Sequence, residues 1–98
     1  MKARLLLDTK TVLSDGRIIQ RKIWQLPKSN DESLLGFKYR LYCGLNGQTI
    51  VRYDNEKGKG DHRHVGPEET EMPYPLESLA KLLADFAQDI ETLSGAIE

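Results

Sequence analysis

A chain of 98 residues with 39% hydrophobic and 30% charged positions has enough material for one modest core and too little for two. Its formal charge of −1 excludes a uniformly basic nucleic-acid coat, and no apolar run approaches the ~20 residues of a membrane helix. One domain over residues 1–98 is therefore expected, with no membrane partner. The opening Met1-Lys2-Ala3-Arg4 precedes only three leucines before Asp8, too brief for a signal peptide, and Cys43 has no second cysteine to pair with. Both observations favour a cytoplasmic location.

In chain order, Leu5–Leu13 and Ile18–Leu26 read as strands joined at Ser14-Asp15-Gly16-Arg17. A two-residue Asp15-Gly16 turn would pair Leu13 with Ile18, Leu7 with Trp24 and Leu5 with Leu26, matching apolar partners better than a one-residue slip. Pro27–Ser33 is a loop by composition. Gly36–Leu45 then alternates, with Phe37, Tyr39, Leu41, Cys43 and Leu45 on one face and Lys38, Arg40 and Tyr42 on the other. Asn46-Gly47 turns the chain into Gln48–Asp54. A turn with Gly47 as bulge residue predicts Leu41 opposite Val51, Tyr39 opposite Tyr53 and Arg40 opposite Arg52.

Lys57–Gly60 reads as a flexible connection and Asp61–Val65 as a short fifth strand, while Pro67–Pro75 is expected to be irregular. Leu76, Leu79, Leu82, Leu83, Phe86, Ile90 and Leu93 follow helical spacing to a stop near Ser94-Gly95. The predicted fold is α+β: an antiparallel four- to five-stranded meander with one C-terminal amphipathic helix packed on one face. That face is expected to hold Phe37, Leu41, Trp24 and Leu7.

Chemistry concentrates between Tyr53 and His64. In an extended backbone His62 and His64 project together and Arg63 the other way. The pair has three readings. It can bond a carbonyl or carboxylate structurally. It can ligate a metal if Asp61, Asp54 or Glu56 adds a ligand, although no cysteine or third histidine is at hand. Or it can supply an acid and a base for metal-independent RNA cleavage, with Arg63, Lys57, Lys59 and Arg52 as cations for the phosphorane. Lys57-Gly58-Lys59-Gly60 lacks the spacing and the terminal Ser or Thr of a P-loop. Lys38, Arg40, Tyr42 and Arg52 suit a surface that tracks a nucleic-acid backbone, or simply a solvated sheet face. From Glu68 onward the chain is acidic, with Lys81 as its one cation. Opposite poles and an open edge strand point to self-association as a homodimer.

The Asp15-Gly16 hairpin, the Trp24 strand, Gly36-Phe37-Lys38-Tyr39, Tyr53-Asp54-Asn55, Gly58, His62-Arg63-His64 and Pro75-Leu76 resemble the TumE family of bacterial toxin-antitoxin toxins over almost the whole chain. The resemblance implies a cytoplasmic toxin, the toxin component of a type II toxin-antitoxin system, whose partner is a helix-turn-helix antitoxin. It carries over Tyr53, Asp54, Asn55, Gly58, His62, Arg63 and His64. The expected activity is a metal-independent ribonuclease without cofactor. His62 and His64 act as acid and base, Arg63 or Lys59 steadies phosphate charge and Asp54 or Asn55 orients an imidazole, with Lys57, Lys59, Arg40, Arg52, Tyr42, Tyr53 and Asn55 against the RNA. The alternative is a non-catalytic module that binds nucleic acid or a protein.

Overall fold

The computed structural model describes residues 4–26, 36–56 and 60–94. Six strands form one antiparallel meander in sequence order: β1 (Arg4–Val12), β2 (Ile18–Gln25), β3 (Phe37–Leu45), β4 (Gln48–Glu56), β5 (Gly60–Val65) and β6 (Thr70–Pro73), followed by α1 (Leu79–Ser94). The α+β meander with a C-terminal helix is as expected, but the sheet has six strands rather than four or five. The extra one is β6, in the stretch expected to be irregular. Its only proline, Pro73, ends an edge strand, where a missing N–H disrupts no ladder. The Pro27–Ser33 loop lies outside the described residues.

Both hairpin registers differ from expectation, and the turns explain why. Gly16, at φ 95°, is a bulge residue after a turn in which Gly16 N–H donates to Leu13 O (2.9 Å) and Leu13 N–H to Arg17 O (2.8 Å). Asp15 Oδ1 accepts from Arg17 N (3.0 Å), a local bond that holds Asp15 out of the left-handed region a two-residue turn demands. The register slips by one: Leu7 faces Ile23, and Trp24 moves to the opposite face of the sheet. At the second hairpin the reverse happens. Asn46 (φ 53°) and Gly47 (φ 79°) make a plain two-residue turn, and the bulge falls further on, at Ile50 between the pairs Gly44–Thr49 and Cys43–Val51. Arg40 therefore faces Asp54, not Arg52. The bulge lets the adjacent Ile50 and Val51 both bury.

The core joins Ile19, Ile23, Tyr39, Leu41, Cys43, Ile50, Val51 and Tyr53 of the sheet to Leu82, Phe86 and Ile90 of α1. The last three recur every fourth residue, so they form one stripe along the helix. Ser78 caps it, its Oγ accepting from Lys81 N at 3.1 Å. α1 packs most closely over β4.

Three tyrosines donate to three carboxylates: Tyr39 to Asp61 (2.7 Å), Tyr74 to Asp85 (2.6 Å) and Tyr53 to Asp89. Arg63 also grips Asp89 with Nε (2.7 Å) and a terminal nitrogen (3.0 Å), so one helical carboxylate ties α1 to β4 and β5. Asp89→Ala leaves a half-buried guanidinium and a buried phenol unpaired, and should cost about 3 kcal/mol, read as a lowered urea midpoint. Burial first, and the carboxylate bond second, raise the Tyr39, Tyr53 and Tyr74 phenols above their ordinary value. Folding thus favours the protonated phenols. That stabilisation is complete below pH ~10 and lost as pH rises toward the raised values, so phenolate absorbance from these three should appear together with alkaline unfolding.

Candidate active site

Strand alternation sorts the chemistry-bearing residues onto two faces. On the helix side lie Tyr53, Asn55, Asp61 and Arg63; on the other lie Arg52, Asp54, His62 and His64. Cross-strand pairing extends this open face into two parallel rows. Asp8, Lys22, Arg40, Asp54 and His62 form one; Lys10, Gln20, Tyr42, Arg52, His64 and Glu71 form the next.

His62 and His64 sit side by side as their spacing predicts, with ring centroids 6.4 Å apart and planes inclined by 49°. His62 is half-buried, and His64 is only 8% exposed. The Nε2 of His64 stands 3.7 Å from Asp54 Oδ1 and 3.8 Å from Glu71 Oε1, so two carboxylates flank it. Asp54 also approaches Arg52, whose Nε lies 3.0 Å from Oδ2 but meets no hydrogen-bond acceptor at a proper angle among the described residues. A terminal nitrogen of Arg52 contacts Glu69 Oε1 at 3.0 Å, and Thr49 Oγ1 donates to Glu69 Oε2 at 2.6 Å. The Thr49 bond, then the Arg52 and His64 charges, hold the Glu69 carboxyl below its usual range despite some burial. Glu69 itself takes φ 52°, in the turn that follows Gly66.

Three expected site residues are not brought to the histidines. Arg63 is committed to Asp89 on the helix side, which also raises its pKa, with the hydrogen bond as the leading cause. Tyr53 is buried and bonded to the same carboxylate. Asn55 replaces a stretch of ladder: its Oδ1 accepts from Tyr39 N (2.9 Å) and its Nδ2 donates to Phe37 O (2.7 Å), where the pairing of β3 with β4 ends at Arg40–Asp54. Lys57 and Lys59 lie outside the described residues. Among the described residues no three His, Cys, Asp or Glu side chains converge as a metal site.

Sequence reasoning placed Trp24 in the core, whereas it is half-buried on the open face with Lys22 Nζ 4.9 Å and Lys38 Nζ 6.0 Å from its ring centroid. Lys22, two residues before it and so on the same strand face, was the available signal. Nearby, the Arg40 guanidinium lies 5.6 Å from the Tyr42 ring centroid. That ring covers Gly44, where a Cβ would come within 2.1 Å of Tyr42 Oη and 2.9 Å of Gln48 O.

A six-stranded meander with a helix on one face and an imidazole pair on the other defines a small α+β protein with one sheet face left open. The family model described as Toxin TumE matches residues 2–94, and the chain belongs to that family. No curated protein and no solved structure matches the chain significantly. No helix among the described residues is long and apolar enough to cross a membrane.

Gly44→Ala should lift Tyr42 off the sheet at a cost of about 1–3 kcal/mol from overpacking. The expected readout is a lowered melting temperature with loss of upfield ring-current shifts at residue 44, and backbone shifts around Asp89 unchanged.

Proposed function

We propose that this toxin, acting as a single domain, is the toxin component of a type II toxin-antitoxin system and cleaves RNA without a metal. The observation that carries this reading is the pairing of His62 and His64 on one sheet face. An acid and a base that each reach about 2.6–3.2 Å to oxygens on opposite sides of one phosphorus must stand apart. A centroid separation of 6.4 Å leaves room for that group.

In the proposed reaction one imidazole takes the proton of the ribose 2′-hydroxyl and that oxygen attacks phosphorus. The second imidazole protonates the departing 5′-oxygen, giving a 2′,3′-cyclic phosphate and a free 5′-hydroxyl. Arg40 and Arg52 share the face and stabilise charge on the phosphorane, Tyr42 offers a stacking ring, and Asp54 orients His64. Lys57 and Lys59 contribute further cations in this proposal. Arg63, Tyr53 and Asn55 support the site from the other side of the sheet.

The proposed protein partner is a helix-turn-helix antitoxin in the cytoplasm. The exposed β1 edge, with Leu5, Leu6 and Val12 at 50%, 42% and 63% exposure, is the surface on which the antitoxin or a second copy would dock. A second reading has its own support: the low exposure of His64 between Asp54 and Glu71 suits a structural ion pair in a non-catalytic binding module.

His62→Ala and His64→Ala should each lower RNA cleavage by at least about 10²-fold and relieve growth inhibition, with circular dichroism unchanged. Cleavage by the wild type should survive chelator. Toxicity retained in the double variant would remove the imidazoles from the mechanism and favour the binding module.

A further inference from the structure

The open face has a second feature that imidazole chemistry leaves unused. A groove of about 520 Å³ crosses β1, β2 and β3, and its lining includes Lys10, Lys22, Lys38, Arg40 and Trp24, with Asp8 as its one acid among the described residues. That volume lies within the range of small-ligand sites. We infer that this groove holds a single strand of RNA, with one base stacked on Trp24 and neighbouring phosphates on the four cations. The inference rests on the RNA reading above and adds a binding subsite to it.

Charge complementarity comes first. Lys22 and Lys38 approach the indole ring, and Arg40 lies two residues further along β3, opposite Lys22, so an aromatic face is bordered by cations. A partly exposed indole among ammonium groups suits a ligand that alternates flat rings with negative charge. An acidic peptide offers charge without the ring, and a duplex keeps its bases stacked inside.

The lysines already over Trp24 do not close the site. An exposed cation–π contact is worth a factor of about 2–5, while stacking a base on an aromatic ring is worth about 5- to 150-fold. The ammonium groups can therefore swing from ring to phosphate as the base arrives.

Position links the groove to the histidines. Lys22, Arg40, Asp54 and His62 occupy one row across four adjacent strands. Three inter-strand spacings, about 14 Å, thus separate the β2 and β5 ends of that row. A strand anchored at Trp24 and followed along Arg40 leads toward His62.

Trp24 is the single tryptophan, so its fluorescence reports this groove alone. The test titrates the His62→Ala/His64→Ala double variant, which should not cut its ligand, with an eight-nucleotide single-stranded RNA. Saturable quenching is expected, with a log–log salt slope of about −2 to −3 for four phosphate contacts. By anisotropy of labelled RNA, Trp24→Leu should bind about 5- to 150-fold more weakly and Trp24→Tyr should regain part of the loss. Lys22→Ala, at an exposed position, removes one cation beside the ring but retains the ring itself, and should shift the salt slope toward zero by about 0.7.

Absence of quenching, unchanged affinity in Trp24→Leu, or equal quenching by poly-glutamate would each overturn the inference, the last assigning the groove to acidic peptides. RNA binding with no cleavage by the wild type would support the groove and remove the hydrolytic reading. Cleavage with unchanged affinity in Trp24→Leu would do the reverse.

Discussion

One carboxylate organises the molecule. Asp89 on α1 accepts from Tyr53 on β4 and from two nitrogens of Arg63 on β5, joining three elements at a single point. Burial of Leu82, Phe86 and Ile90 drives the helix onto the sheet, but apolar burial is non-directional and would tolerate rotation about the helix axis. A two-pronged charged hydrogen bond is directional, so it fixes which helix face meets which strand. The side of the sheet turned away from α1 is thereby left as the surface available to a ligand.

This division explains a sequence cluster that reads as one site and is in fact two sets of residues. Along Tyr53-Asp54-Asn55 and His62-Arg63-His64, successive side chains leave opposite sides of the sheet. Tyr53, Asn55 and Arg63 bind the helix and the neighbouring strand. Asp54, His62 and His64 meet on the far side with Arg52 and Glu71. The helix-side residues hold the backbone whose other face carries the imidazoles, so both sets serve one surface while only one touches it.

Which residues share a face was legible from the sequence wherever period-two alternation was clean. Phe37, Tyr39, Leu41 and Cys43 do share the helix side with Val51 and Tyr53, and both histidines project together. Register was not legible, because it hangs on single backbone angles. The side chain of Asp15 binds the amide two residues on and enlarges the first turn, which carries Trp24 to the other face. Asn46 accepts a positive φ and tightens the second, and the displaced bulge at Ile50 restores the parity of the faces while changing every partner. The β6 strand was hidden by Pro73 and by the flanking Pro67 and Pro75, since proline is a reliable signal against a central strand and a weak one against an edge. The role of Asn55 could not be read from spacing, since it depends on where two strands stop pairing.

That asparagine has a wider consequence. Where β3 and β4 part, an amide from a side chain imitates a peptide group, offering one donor and one acceptor to the backbone across the gap. Aspartate would present no donor to the Phe37 carbonyl, and glutamine would carry its amide one methylene too far. The stitch therefore favours asparagine, and it fastens β3, which lines the tryptophan groove, to β4, which pairs with the imidazole-bearing β5. The relative placement of the two halves of the open face thus depends in part on a residue that never reaches that face.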